Sequence, residues 1–184
     1  MEGLWTRFLP AALAMRDLLR SGDLGEIRSA RGSFFAPAVS EARGLFYEAS
    51  GGGALLQRGV YAVSLASFFL GAPLKVSSSA RLGQGGVDEE VVLTVTHESG
   101  AISVSQASLR TAGTSDFVVH GTKGVARLHA PIYRPFRLTV ESVAPRIVEA
   151  GRASRFETLK ESALMQGLQQ RLGGIRSALT GREK

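Results

Sequence analysis

The stretch that decides the fold reads Gly51-Gly52-Gly53-Ala54-Leu55-Leu56-Gln57-Arg58-Gly59-Val60-Tyr61 and runs on as an apolar segment to Phe69, Leu70 and Gly71. Three glycines ahead of a helical apolar pattern describe a loop that lets backbone approach something closely, followed by a helix entering the core. Leu55, Leu56, Gly59, Val60, Val63, Ala66 and Leu70 recur at three- and four-residue steps, which predicts burial along one broad side. Gln57 and Tyr61 are four apart and share a helix face, with Arg58 three before the phenol and able to flank it. A phenol at a helix start, below a glycine loop and between polar company and apolar walls, is suited to give a proton to a carbonyl.

Working outward, the segment before this helix holds a shorter one. Pro10 suits a first helical turn, and residues 11–20 carry Leu13, Met15, Leu18 and Leu19 without a breaker until Ser21-Gly22-Asp23-Leu24-Gly25. Residues 26–36 then alternate around Ile27, Ala30, Gly32, Phe34 and Phe35 as a first strand, and residues 37–50 read as an irregular excursion. After the central helix the texture is that of strands. These fall at 74–82, 87–98, 101–110, 115–120, 124–129 and 136–142, separated by turn signals such as Gly83-Gln84-Gly85-Gly86 and Ser99-Gly100. Strands in succession after one helix–strand–helix unit predict an α+β fold: a predominantly antiparallel open sheet with helices packed on one face. Its outer face, carrying small residues with Thr, Ser and Val, is then open to another copy. From Arg155 to Thr180 the spacing is helical again, an amphipathic basic segment interrupted near Gly173-Gly174. The expected organisation is a junction at 1–10, one domain at 11–150 and a terminal helical segment at 151–184.

Composition bounds the rest. A chain of 184 residues with 44% apolar and 7% aromatic residues builds one real core. Its longest apolar run is too short to cross a bilayer, and the N-terminus lacks the order of charge, apolar run and cleavage site of a signal peptide. With no cysteine there is neither a disulfide nor a thiolate metal site, which suits the cytoplasm. The formal charge of +6 gathers late, at Arg146, Arg152, Arg155, Lys160, Arg171, Arg176, Arg182 and Lys184, with few aromatics and no nucleic-acid motif, so a solvated tail or a face meeting a partner domain is expected instead. His97, His120 and His129 sit apart without carboxylates at ligand spacing, and no metal is expected.

The central run resembles the G-G-G-x-L-x-D-x-G-x-[YH] signature in the substrate-side domain of the Gfo/Idh/MocA oxidoreductases, in their dihydrodiol dehydrogenase-like branch. The opening Glu2-Gly3-Leu4-Trp5-Thr6-Arg7-Phe8-Leu9-Pro10 is similar to the E-x-x-W-T-R-F-x-P of that branch. Two motifs about fifty residues apart and in order make the likeness specific, from the start of the chain to roughly Val140. The resemblance implies that Tyr61 is the catalytic proton donor or acceptor and that Gln57 stands where an aspartate is expected. A neutral amide can hydrogen-bond a hydroxyl but does not take a proton at ordinary pH. It also implies that Trp5 helps wall the substrate pocket and that Arg7 reaches polar groups of substrate or cofactor; the residues themselves add one of Phe34 and Phe35 to that wall, with Arg58, Gly52 and Gly53 around it. Adjacent strand residues point to opposite faces, so only one of the two phenylalanines can line such a pocket.

Each assignment has a plainer counterpart: Tyr61 as a satisfied core tyrosine, Trp5 and Arg7 as junction packing. By resemblance the cofactor is NAD or NADP, yet the strand–G-x-G-x-x-G–helix unit that binds a dinucleotide is not in the sequence. The expectation is therefore a partial oxidoreductase. It would be the substrate-binding and dimerising domain of an NAD(P)-dependent dehydrogenase for a diol, sugar-like or carbonyl substrate, a homodimer through its sheet face, partnered by a missing nucleotide-binding domain. The alternative is a non-catalytic sheet-mediated dimerisation or binding module.

Overall fold

A computed structural model describes residues 3–38 and 45–142. The chain divides into two units, Met1–Pro145 and Arg146–Lys184, and the described residues belong to the first. The expected terminal helix, and residues 39–44 of the excursion, lie outside the described residues.

A 3₁₀ turn, Trp5–Phe8, leads into helix α1, Pro10–Ser21. Pro10 opens α1, where its missing N–H costs nothing, and Gly22 closes it in the left-handed conformation at φ 78°. Strand β1, Ile27–Phe35, follows. After a second 3₁₀ turn, Leu45–Tyr47, the central helix opens with a π-type turn, Leu55–Gly59, and continues as α2, Val60–Leu70. Six strands complete the sheet: β2 Pro73–Leu82, β3 Asp88–His97, β4 Ile102–Ser108, β5 Phe117–Gly121, β6 Gly124–Leu128 and β7 Leu138–Ser142.

The fold is α+β, with strand order β2-β3-β4-β1-β5-β6-β7. Every pairing is antiparallel except that of β1 with β4. That one parallel pair arises because β1 precedes the helical crossover and β4 follows it, so β1 is inserted between β4 and β5 instead of lying at an edge. Met15 of α1 and Ala62, Leu65, Ala66 and Leu70 of α2 pack on Ala30, Phe117, Val119, Ala126 and Leu128 of the sheet. A Cβ at Gly32 of β1 would stand 2.7 Å from the Ala62 Cβ and 2.8 Å from the Phe117 ring, so the glycine sets how closely α2 approaches the sheet.

Two details of the sequence reading are corrected. Leu56, assigned to the buried side of the central helix, is 59% exposed, while Arg58, assigned to its flank, is buried. The π-type turn widens the helix start and shifts the phase on which a 3.6-residue count depends. On β4 the small residues Ser103, Ser105 and Ala107 are buried against the helix layer, and it is Ile102, Val104 and Gln106 that lie on the outer face. Register carries that face across to Val92, Thr94 and Thr96 of β3 and to Arg31 of β1. Small side chains are needed where α2 lies on the sheet, so they mark the inner face.

Candidate active site

The glycine loop is closed by the protein's own groups. Gly52 N–H donates to the Glu48 carbonyl at 2.7 Å and Gly53 N–H to the Phe46 carbonyl at 2.8 Å. Gly53 has φ 103°, and a Cβ there would collide with the Asp88 carboxylate. That carboxylate reaches over from β3 to accept the Leu55 N–H at 2.6 Å, satisfying a donor at the helix start where a negative charge is favoured. What approaches this backbone closely is therefore Glu48, Phe46 and Asp88. Gly52 and Gly53 shape the helix start and keep no amide for a ligand.

Beyond the loop, three rings meet. The Phe34 centroid is 5.9 Å from that of Tyr61 and 5.7 Å from that of Tyr133, and the two tyrosine rings are 6.2 Å apart. Phe34 and Tyr133 are stacked at 22°, whereas Tyr61 is tilted to both, so the three form a wall instead of a pile. Tyr61 is half-buried, and its hydroxyl meets no hydrogen-bond partner among the described residues. It is also absent from the sealed, unpartnered atoms of those residues, which are Tyr47 Oη and Ser105 Oγ, so the Tyr61 hydroxyl keeps access to the outside.

Arg58 closes one end of the wall. Its guanidinium carbon lies 5.2 Å from the Phe34 centroid and 5.4 Å from that of Phe46, and NH1 donates to the Ser108 carbonyl at 3.3 Å. Burial lowers its pKa from the ordinary arginine value, with the neighbouring Tyr47 phenol opposing the shift. Nearby, Arg110 is 3.6 Å from Glu89, and its pKa is raised first by the approach of the Tyr47 hydroxyl and then by Glu89. That approach falls short of good hydrogen-bond geometry, and the Tyr47 hydroxyl remains unpartnered.

The remaining candidates stand elsewhere. Gln57 turns back and donates from Nε2 to the Gly51 carbonyl at 2.8 Å, so its amide braces the loop. Arg7 holds the Ser64 hydroxyl at 2.7 Å through Nε and the Ser64 carbonyl at 3.0 Å through NH2, with its guanidinium over Phe68. It fastens the opening turn to α2. Trp5 is 46% exposed on that turn, and its neighbour Thr6 donates to the Tyr133 carbonyl at 2.8 Å, which ties the turn to the aromatic wall. Phe35 alternates with Phe34 and lies on the other face of β1, in register with Ser108.

Tyr133, Phe46 and Asp88 were not identified from the sequence. Tyr133 lies between Pro131 and Pro135 in a stretch read only as a turn, and a tyrosine between prolines is a weak signal. Asp88 gives no local signal, since its role depends on β3 passing beneath the helix start. The histidines have partners of their own: His97 bridges the Gly71 carbonyl and the Ser103 hydroxyl, and His129 meets Thr139. The described hollows lie away from the wall, one of about 330 Å³ between Arg16, Leu19, Ile27 and Phe68, another of about 370 Å³ over Ser77–Ser79, Val92 and Thr94.

The profile of the GFO/IDH/MocA C-terminal domain matches residues 12–127. The chain belongs to the GFO/IDH/MocA family. Over 143 residues it is 35% identical to the trans-1,2-dihydrobenzene-1,2-diol dehydrogenase of Macaca fuscata fuscata, an alignment covering 77% of this chain and 42% of the relative. Among solved structures it is similar to an NAD binding oxidoreductase from Klebsiella pneumoniae, with TM-score 0.67, 26% identity, and coverage of 75% of this chain and 42% of that one. A 3-ketoreductase from Actinomadura kijaniata, solved with NADP and TDP-benzene, gives TM-score 0.67 and 25% identity over 79% of this chain and 49% of that one. The chain spans less than half the length of the curated relatives that it matches. No helix among the described residues of this GFO/IDH/MocA domain is long and apolar enough to cross a membrane.

Proposed function

We propose that this domain is the substrate-side part of an NAD(P)-dependent oxidoreductase acting on a small diol, sugar-like or carbonyl compound, with Tyr61 as its proton donor and acceptor. The observation that carries the reading is the Phe34–Tyr61–Tyr133 wall with, at one end, a phenol that meets no hydrogen-bond partner among the described residues and is not among their sealed atoms. Family membership and the oxidoreductase relatives support it.

The described residues do not fit a dinucleotide. The amides of the glycine loop are spent on Glu48, Phe46 and Asp88, and the Asp88 carboxylate would repel a phosphate. In this reading NAD or NADP is held by a nucleotide-binding half other than these residues. Phe34 and Tyr133 give a ring or sugar face an apolar surface to lie on. The Tyr61 hydroxyl then protonates a carbonyl oxygen, or takes the proton of a carbinol, in hydrogen-bond reach. Gln57 acts by holding Gly51. A cytoplasmic setting goes with this reading, supported by the cysteine-free sequence.

The test joins this chain to the nucleotide-binding half of the macaque enzyme. Turnover of trans-1,2-dihydrobenzene-1,2-diol is expected from the joined protein, and no NADPH binding by calorimetry from the 184-residue chain alone. Saturable NADPH binding by that chain would place the cofactor on it and end this reading.

The same reading includes a homodimer through the outer sheet face. Support comes from Val92 and Ile102, 40% and 47% exposed, which flank Val104 on that face. Val104→Lys is expected to shift sedimentation from dimer to monomer while leaving the circular dichroism spectrum intact. Ser103 is no control for this, because it is buried against His97 and a lysine there would disrupt the core. A monomer before substitution, or a dimer that survives it, counts against the face.

A further inference from the structure

Arg58 is a fixed positive charge in a place where charges are normally paired. The residue is 7% exposed and lies between two phenylalanine rings. The ion pairs of the described residues engage Arg16, Arg28, Arg31, Arg110 and Arg127, and none engages Arg58. Arginine keeps its proton at any pH at which the protein is folded, so the charge cannot be relieved by titration. Among the described residues one of its five N–H groups is spent, on the Ser108 carbonyl. Nε and the second terminal nitrogen meet no partner among the described residues and are not among their sealed, unpartnered atoms, so these two retain an opening to the outside. A methionine or leucine would fill the same slot between Phe34 and Phe46 without the desolvation of a guanidinium.

We propose that Arg58 reads a carboxylate on the substrate. The inference rests on the Tyr61 reading above and adds the substrate class. Phe34 links the two groups: its ring contacts Tyr61 and Tyr133 and also lies against the Arg58 guanidinium. A hydroxy or oxo acid lying on the wall presents its carbinol or carbonyl to Tyr61 and its acid group to Arg58. The guanidinium plane is held by the two rings, and a fixed fork of N–H donors suits the two oxygens of a carboxylate. A phosphate asks for more charge than this end of the site holds. Arg110 is paired with Glu89, Arg7 is bound to Ser64, and the loop amides are used.

The experiment titrates the full chain, followed by NMR, with two sugars matched except for the acid group: D-glucuronate and D-glucose. The expected result is binding of D-glucuronate at least about tenfold tighter than D-glucose, with the ring signals of Tyr61 and Tyr133 shifting, since a hydrogen bond to an ionised group is stronger than a neutral one. Arg58→Met is expected to erase that preference, so that the two sugars bind the variant equally, and Arg58→Lys to keep part of it. If both sugars bind the wild-type chain equally and still shift Tyr61, the carboxylate inference fails and the Tyr61 site stands. If neither sugar shifts Tyr61 or Tyr133, both fail. A preference that survives in Arg58→Met overturns the assignment to Arg58.

Discussion

Replacing Tyr61 by phenylalanine in the joined enzyme is expected to lower kcat by about 10²- to 10⁴-fold, the usual contribution of a positioned general acid or base. The substitution removes one oxygen and leaves the ring. The contacts with Phe34 at 5.9 Å and Tyr133 at 6.2 Å are made by the rings and persist in the variant. No hydrogen bond is lost inside the described residues, because the hydroxyl has no partner there. The unfolding free energy of Tyr61→Phe is therefore expected to stay within about 0.5 kcal/mol of the parent, as for substitutions that leave packing intact. Steady-state kinetics alongside a urea melt separates the two quantities. A drop in kcat smaller than about tenfold with unchanged stability would mean that Tyr61 is only part of the wall and the proton moves elsewhere.

Gln57 gives a contrasting case. The aspartate that the resemblance leads one to expect at this position would suggest that Gln57→Asp improves proton exchange. In the structure, however, the amide donates to the Gly51 carbonyl, and a carboxylate there is one methylene shorter and has no hydrogen to give. The position braces the glycine loop before it does anything for chemistry.

The second large effect is on the fold. Phe117→Ala is expected to cost about 3–5 kcal/mol, measured as a fall in the urea midpoint with an unchanged slope. Phe117 is fully buried in β5, its ring is 5.6 Å from that of Phe69 on α2, and Gly32 on the adjoining strand leaves the space that it occupies. Nothing nearby can fill that space easily. Ala62 is too small, and the backbones of β1 and α2 are already as close as Gly32 allows. Because whole-domain stability is about 5–15 kcal/mol, such a loss would take a large part of it. A loss under about 1 kcal/mol would show that α2 settles onto the sheet and closes the cavity.

Much of this architecture is local in origin and was legible in the residues. The proline at position 10 and the glycine at 22 bound α1, the alternation of Val91, Leu93 and Val95 against Val92 and Thr94 divides β3 into two faces, and the Gly51–Tyr61 run announces the central helix. These signals depend on neighbours one to four places along the chain. The family, too, follows from contiguous motifs. Other features depend on residues far apart in sequence. The insertion of β1 beside β4, the π-type opening that buries Arg58 and exposes Leu56, and the cap that Asp88 sends to Leu55 arise only when the sheet closes under the helix. The candidate site divides in the same way. Its central phenol lies in the motif, but Tyr133, seventy-two residues later, reaches Phe34 and Tyr61 only because the chain returns along β5 and β6. Periodicity reports which side of an element is apolar; which distant side chain meets it is set by strand order and by how closely the layers pack.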